Sequence, residues 1–162
     1  MKKAAIVLIV LVLLLTAAIG YELFHTALQV TGKNVQVFPA TERKSEFSAL
    51  QRAEENNAVQ GTLLRKVEWQ GAESYTYHVY TLRLKNPGLI RAEMVELQIA
   101  PIAEDILFYG ESGEVTLGPG ETKDLSIVLL TEGQPHPVRD IKITYYLWGH
   151  PQEVKFTYDN AR

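Results

Sequence analysis

The sequence contains no cysteine in its 162 residues, and this absence excludes several kinds of protein. It rules out a disulfide scaffold, a thiolate zinc site, a cysteine nucleophile and a lipid-modified cysteine. A folded domain of this composition must be stabilised by its apolar core, which about 100 residues of alternating strand can supply.

Clusters of basic residues are also missing. The 16 Lys and Arg residues are outnumbered by 19 Asp and Glu residues, and the formal net charge is −3. Binding to a phosphate backbone needs Lys and Arg gathered on one surface. We therefore expect no nucleic-acid partner.

Catalytic signatures are absent as well. The sequence has no HExxH, GxSxG or SxxK motif and no glycine loop of the kind that cradles phosphate. A site shared by His136 and His150 is conceivable if their loops meet, but we expect turn and surface histidines. We predict a non-enzyme without cofactors, and a hydrolase with a dispersed site remains an alternative. The spacings of His25, His78, His136 and His150 match no metal motif, and no His or Lys near in sequence would activate Ser45, Ser48, Ser74, Ser112 or Ser126.

Acidic residues form two small groups in predicted loops. They are Glu104 with Asp105, and Glu111 with Glu114 and Glu121. Carboxylates are suitable ligands for Ca²⁺, but the tight DxDxD-like spacing of calcium loops is absent. We expect solvated loop carboxylates, with a calcium site as the open alternative.

The first residues differ from all the rest. Lys2 and Lys3 precede residues 4–21, which carry no charge and would span about 27 Å as a helix. A hydrocarbon core is about 30 Å thick, and positive charge resists translocation. Residues 1–23 are therefore predicted to be a signal anchor, a single transmembrane helix with its N-terminus in the cytoplasm and the C-terminal domain outside.

A cleaved signal peptide is the alternative interpretation of this segment. Residues 6–15 would be its apolar region, and Ala18-Ile19-Gly20 a small-x-small cleavage site. The mature protein would then be secreted.

Residues 24–58 are predicted to be a connector. Its first half has short alternating pieces that suit a short strand, a small hairpin or an extended stalk. Its second half predicts a short helix over 42–56, with Thr41 as the cap and Asn56-Asn57 as the stop. Three apolar residues would share one stripe of that helix: Phe47, Leu50 and Ala53.

From residue 59 the apolar period changes to two, with turn signals between the segments. This pattern predicts a mainly-β chain whose residues 59–162 form an immunoglobulin-like antiparallel β-sandwich. About seven strands are expected, within 60–70, 74–86, 91–101, 106–109, 115–130, 139–148 and 153–158.

Three of these segments resemble bacterial exported immunoglobulin-like β-sandwich modules of the CARDB and FxLYD type. They are LRLKNPGLIRAEMVELQIA, LGPGETKDLSIVLL and IKITYYL. In those modules an Asn-Pro-Gly-like turn leads into an alternating strand, and a Leu-x-Pro-Gly-Glu turn opens the next long strand. The similarity covers approximately residues 59–158. It implies the fold and a role in adhesion, scaffolding or envelope assembly, without catalytic residues.

Alternation assigns side chains to faces. Leu125, Ile127 and Leu129 are expected in the core, and so are Ile141, Ile143, Tyr145 and Leu147. The strand near residues 75–84 is apolar on both faces, which predicts a central strand covered on both sides. In the turn before Leu125, Pro119 fixes φ, and Gly118 and Gly120 permit backbone angles that other residues resist.

The alternate residues of strand 139–148 would then point outward. They are Lys142, Thr144, Tyr146 and Trp148. Exposed Tyr and Trp are typical anchors of interfaces, so these four residues are the candidate interaction face. Alternatively, residues 24–57 cover that face and its aromatic side chains are structural.

These patterns predict a non-catalytic, membrane-anchored extracytoplasmic binding or assembly module. Its partners would be the membrane, through the N-terminal helix, and an envelope or membrane protein, as in a cell-envelope complex. A secreted carbohydrate- or cell-wall-binding accessory domain, released after cleavage near Gly20, is the alternative.

Overall fold

The structure is a computed structural model that describes residues 2–25, 27–110, 114–133 and 138–159. Two α-helices are described, α1 (Lys2–His25) and α2 (Lys44–Glu55). Nine strands lie within the described residues: β1 (Gln29–Pro39), β2 (Thr62–Leu63), β3 (Tyr75–Lys85), β4 (Ala92–Ile99), β5 (Asp105–Gly110), β6 (Val115–Leu117), β7 (Thr122–Glu132), β8 (Val138–Leu147) and β9 (His150–Asp159). Single 3₁₀ turns occupy Ala40–Arg43 and Ala72–Ser74.

The strands form two antiparallel sheets packed face to face. The five-stranded sheet has the order β1-β3-β7-β5-β2, and the four-stranded sheet has the order β6-β4-β8-β9. The predicted mainly-β sandwich, preceded by an apolar helix and a second short helix, is confirmed. The described strands number nine rather than seven because β1 joins a sheet and the strand predicted over 115–130 is divided into β6 and β7.

The core between the sheets consists of the side chains that alternation assigned to it. Leu125, Ile127 and Leu129 of β7 are buried against residues of β8. The β8 residues are Ile141, Ile143, Tyr145 and Leu147, as predicted. Each such side chain contributes about 1.5–3 kcal/mol when it is fully removed from water, and this core replaces the missing disulfides.

The other face of the five-stranded sheet is covered by α2 and the segment that follows it. Phe47 of α2 is buried there with Tyr75, Tyr77 and Val79 of β3. Residues 80, 82 and 84 of β3 lie in the core between the sheets. Both faces of β3 are therefore covered, as predicted. The strand is also central, because it lies between β1 and β7.

The predicted connector is part of the sheet. β1 pairs antiparallel with β3 from Gln29 opposite Lys85 to Pro39 opposite Thr76, so a sandwich boundary at residue 59 is too late. The stop of α2 at Asn56-Asn57 agrees with the structure, since the helix ends at Glu55 and Asn57 has φ +52°. Thr41 is not the cap, because a 3₁₀ turn precedes the helix and Arg43 occupies the cap position.

The strand predicted over residues 60–70 is mostly wrong. Only Thr62–Leu63 pairs, with Leu107 and Phe108 of β5. Val67 and Trp69 instead pack over the outer face of the five-stranded sheet with the α2 cluster. The alternating apolar residues resemble a strand in the sequence. In the structure the segment is irregular, and its apolar side chains cover the sheet.

The Gly-Pro-Gly turn carries the chain from β6 in one sheet to β7 in the other. Gly120 has φ +72°, a conformation that favours glycine. Gly118 has no positive φ, and its role is a backbone N–H that donates to Glu121 Oε2 at 2.6 Å. The prediction is therefore correct for Gly120 and wrong for Gly118.

Helix α1 contains a segment, Lys3–Tyr21, that is long and apolar enough to cross a membrane, and no part of it is buried against the rest of the protein. A membrane anchor and a signal sequence both have this character.

Candidate interaction surface

The outer face of the four-stranded sheet is not covered by any other element among the described residues. We call this surface the open face. Its side chains come from three neighbouring strands: Glu93, Glu96 and Gln98 of β4, Lys142, Thr144 and Tyr146 of β8, and Pro151, Glu153 and Lys155 of β9. The segment proposed as its cover was residues 24–57, but β1 and α2, which make up most of that range, lie in and over the other sheet.

The strand register sets the chemistry of the open face. Thr144 lies between Glu96 and Glu153, so its neighbours across both strands are carboxylates. Lys142 lies directly opposite Lys155, and like charges in that position repel. Lys155 Nζ also lies 3.6 Å from Glu153 Oε1, and this carboxylate offsets part of the repulsion.

Two depressions lie on or beside the open face. One, of about 390 Å³, is lined by Tyr146, Thr144, Glu96 and Glu153 together with Met94 and Pro151. The other, of about 550 Å³, lies around Lys142 and Lys155, next to Asp140 and Pro101. Both are open to solvent and mix apolar with polar groups.

Three of the four predicted face residues lie together on this surface. Tyr146 is exposed, and Lys142 and Thr144 are half-buried. They follow one another along β8 at alternate positions, as the period of two predicted.

Trp148 does not belong to the open face, and this part of the prediction is wrong. β8 ends at Leu147, which pairs with His150 of β9, so Trp148 and Gly149 form the two-residue turn of a hairpin. Their φ angles of +48° and +76° are those of a type I′ turn. The predicted strands 139–148 and 153–158 leave residues 149–152 for the turn, but an X-Gly pair between two alternating runs was the signal for its true position.

Trp148 is an unusual residue for this turn. Asn, Asp or Gly normally occupy the first position because φ is positive there. A bulky side chain in that conformation is uncommon, and this one is 61% exposed. Packing inside the sandwich therefore does not account for it.

The histidines are not brought together. His78 is buried in the core, where Nε2 lies 3.2 Å from Thr131 Oγ1. Burial and the neighbouring Arg139 lower the pKa of His78 to about 4, so the ring is neutral at pH 7. His150 is exposed beside the hairpin turn. The side chain of His25 and all of His136 lie outside the described residues, and Gly133 and Val138 on either side of His136 are at the opposite end of the sandwich from His150.

The predicted loop carboxylates have different environments. Asp105 is not solvated, because it is buried and accepts hydrogen bonds from Arg139 across the two sheets at 2.9 and 3.4 Å. Glu121 contacts Lys123 Nζ at 3.1 Å, and the Gly118 N–H lowers its pKa. Glu111 lies outside the described residues. In the described part of the chain, no three His, Asp or Glu side chains are grouped as metal ligands would be.

Two of the described serines have structural partners. Ser126 Oγ lies 2.9 Å from Thr81 Oγ1, and Ser74 Oγ donates to Gln70 Oε1 at 3.2 Å. Neither partner is a base that activates a nucleophile. Ser112 lies outside the described residues.

No protein-family model matches this chain, and no curated protein does. Among solved structures, the chain is similar to the FixG-related protein from Vibrio parahaemolyticus, with 14% sequence identity and a TM-score of 0.35. The alignment covers 82% of this chain and 100% of that protein. A TM-score this low carries no inference about function, and the resemblance to CARDB and FxLYD modules stays a prediction.

Proposed function

We propose that this protein is a non-catalytic, membrane-anchored binding or assembly module, with its sandwich on the extracytoplasmic side and an envelope or membrane protein as its partner. The observation that carries the proposal is the apolar segment Lys3–Tyr21, none of which is buried against the sandwich. An exposed apolar surface of that length is stable in a bilayer and unfavourable in water.

The lysines support the stated orientation. Lys2 and Lys3 precede the apolar segment, and positive charge is retained on the cytoplasmic side. The sandwich then lies outside, where its lack of cysteine makes it independent of the redox conditions.

The open face supports a binding role. It combines an exposed tyrosine, opposed lysines and depressions open to solvent. The outer edge of β9 extends this surface, since within the described residues β9 pairs with β8 alone. An extended segment of a partner can add to such an edge through main-chain hydrogen bonds.

The test is site-specific photocrosslinking of the full-length chain in intact cells. A photoreactive amino acid replaces Tyr146 on the open face, and in the control it replaces Glu55, which is exposed on α2 over the other sheet. We expect one dominant adduct from position 146 and none from position 55.

Mass spectrometry of the adduct identifies the partner, and membrane fractionation reports on the anchor. No adduct from position 146 in a chain that fractionates with membranes would contradict the open face as the binding surface. Equal adducts from both positions would indicate non-specific proximity and contradict it as well.

A secreted carbohydrate- or wall-binding domain is the second candidate, favoured by the depression beside Tyr146. Its lining combines an aromatic ring with Glu96, Gln98 and Thr144, groups able to contact the faces and hydroxyls of sugars. A mature mass that lacks the residues up to Gly20, together with retention on cell-wall polymer that Tyr146→Ala abolishes, is the result expected for this candidate. An intact N-terminus contradicts it.

A further inference from the structure

One end of the sandwich lies next to helix α1. The first strand begins at Gln29, opposite Lys85, and the backbone N–H of Leu28 donates to Tyr145 Oη at 3.3 Å. Two turns and the hairpin tip share this end, since Asn86 bonds to residues 120 and 121, and Ala92 lies opposite Leu147. We call this surface the helix-side end: the start of β1, the turns 86–91 and 118–121, and the tip 148–149.

The chain between the helix and this end is too short to separate them. Tyr21 closes the apolar segment, and α1 continues to His25, which adds four residues or about 6 Å. From His25 to the buried Leu28, three residues reach about 10 Å when fully extended. If α1 spans a membrane, Leu28 lies within about 16 Å of the level of Tyr21.

Large apolar side chains are exposed at this same end. Leu89 of the turn 86–91 is 77% exposed, and Trp148 at the hairpin tip is 61% exposed. Trp148 holds a positive φ that would suit Asn or Gly better. Neither the turn nor the core needs a tryptophan at position 148, so the reason for this residue lies outside the sandwich.

The charges at this end are mixed. Exposed Lys85, Arg91 and Lys123 lie there with the carboxylates of Glu93, Glu121 and Asp124. Tryptophan at the level of the lipid headgroups is a usual arrangement on both sides of a membrane. A partner protein would instead be expected to use the open face.

We propose that the helix-side end rests on the lipid surface, with Trp148 and Leu89 inserted at the headgroup level. This contact fixes the sandwich on the bilayer and directs the open face and the β9 edge sideways, parallel to the membrane. The inference rests on the proposed membrane anchor. The bilayer itself is the partner of the helix-side end.

The experiment reconstitutes the full chain into phosphatidylcholine vesicles that contain lipid brominated near the headgroup. The chain has two tryptophans, which allows a matched pair of single-tryptophan variants. Trp69→Phe retains Trp148. Trp148→Phe retains Trp69, which packs on Tyr75 at the opposite end of the sandwich.

We expect bromolipid to quench Trp148 severalfold more than Trp69. A third variant, Trp148→Asn, suits the turn and keeps the α2 cluster intact, so it separates the contact from folding. In that variant the quenching of the total fluorescence should be lost. Equal, weak quenching of both tryptophans in vesicle-bound protein would overturn the proposal.

Vesicle flotation after carbonate extraction tests the anchor separately. A chain that floats but shows no quenching of Trp148 contradicts only the lipid contact. A chain that does not float contradicts the anchor, and the lipid contact that rests on it.

Discussion

At the scale of single residues, the most consequential feature is a polar cluster buried at the end of the core away from α1. Arg139 of β8 and Asp105 of β5 form an ion pair between the two sheets, with side chains that are 1% and 0% exposed. His78 and Thr131 lie beside it. Tyr80 is also close: burial raises its pKa, and Arg139 offsets part of that rise. A pair of this kind is costly to disrupt, although it contributes little net stability.

The buried His78 makes folding sensitive to mild acid. Its pKa is lowered from the model-peptide value of 6.5 to about 4, chiefly by burial and also by Arg139. Between these pH values the unfolded chain binds a proton that the folded chain does not, so stability is full above pH 6.5 and falls towards pH 4. We expect a loss of about 3 kcal/mol across this window from His78 alone.

Urea unfolding at a series of pH values measures this loss. In His78→Gln the free energy of unfolding that is lost between pH 6.5 and 4 should be smaller by about 3 kcal/mol, so the slope is shallower. The matched control is His150→Gln, since His150 is exposed beside the hairpin turn and should leave the slope unchanged. Parallel pH curves for His78→Gln and the parent protein would contradict the assignment.

The ion pair gives a second prediction. Arg139→Met leaves the buried carboxylate of Asp105 without its counter-charge, and we expect a loss of about 3–5 kcal/mol in the free energy of unfolding. Adding Asp105→Asn removes that charge while the side-chain oxygen still accepts from the Ile102 N–H. Denaturant unfolding should therefore find the double variant more stable than Arg139→Met, and the opposite order would contradict the isolated-charge explanation.

Part of the placement of individual side chains could be predicted from the sequence. The face of each core side chain followed from alternation, and Tyr146, Thr144 and Lys142 were placed correctly by the same period. Asp105 was misread as a solvated loop carboxylate because its partner Arg139 is 34 residues away. Alternation alone does not reveal such a pair.

At the scale of elements, α2 shows how a polar segment attaches to a sheet. Phe47 is the one residue of α2 that is fully buried, and its ring lies 5.5 Å from Trp69 and 5.1 Å from Tyr75. Glu46 accepts a hydrogen bond from the Tyr109 hydroxyl at 2.6 Å, which together with burial raises the Tyr109 pKa. The helical stripe predicted the buried side, but nothing in the sequence indicated which sheet it would cover.

Removing the Phe47 ring should detach this cover. We expect Phe47→Ala to lower the free energy of unfolding by about 3–5 kcal/mol, because the ring is buried and leaves a cavity. Ser45→Ala, at an exposed position of the same helix, is the control and should change stability by less than about 0.5 kcal/mol. Denaturant unfolding measures both, and similar values for the two variants would show that α2 is not docked as described.

The β8–β9 hairpin carries a local cost. A non-glycine residue at positive φ is disfavoured by about 1–2 kcal/mol, and Trp148 has φ +48°. We expect Trp148→Asn to raise the free energy of unfolding of the protein in detergent by about 1 kcal/mol, because asparagine accepts this conformation. Trp148→Ala, which removes the ring and keeps the unfavourable φ, should not show this gain, and a destabilised Asn variant would mean that the indole packs on the protein.

At the scale of the whole molecule, the arrangement of the parts was only half accessible from the sequence. Lys2, Lys3 and the uncharged residues 4–21 predicted the apolar helix, and the period of two predicted the sandwich. The role of residues 29–39 was not predictable, because VTGKNVQV suits a stalk as well as an edge strand and only pairing with β3 decides between them. That pairing is what shortens the linker to residues 26–28 and brings the helix-side end close to α1.

The short linker gives the last prediction. Inserting about ten Gly and Ser residues directly after His25 would let the sandwich move away from the bilayer, since such a segment has an r.m.s. length of about 5–6 Å × √n. The local concentration of Trp148 at the lipid surface then falls. We expect bromolipid quenching of Trp148 to decrease, while flotation with vesicles and urea unfolding stay as in the parent chain. Inserting the same residues between β5 and β6 lengthens a connection that does not join α1 to the sandwich; this is the control and should leave the quenching unchanged. Undiminished quenching with the long linker would mean that the linker does not hold the sandwich on the membrane.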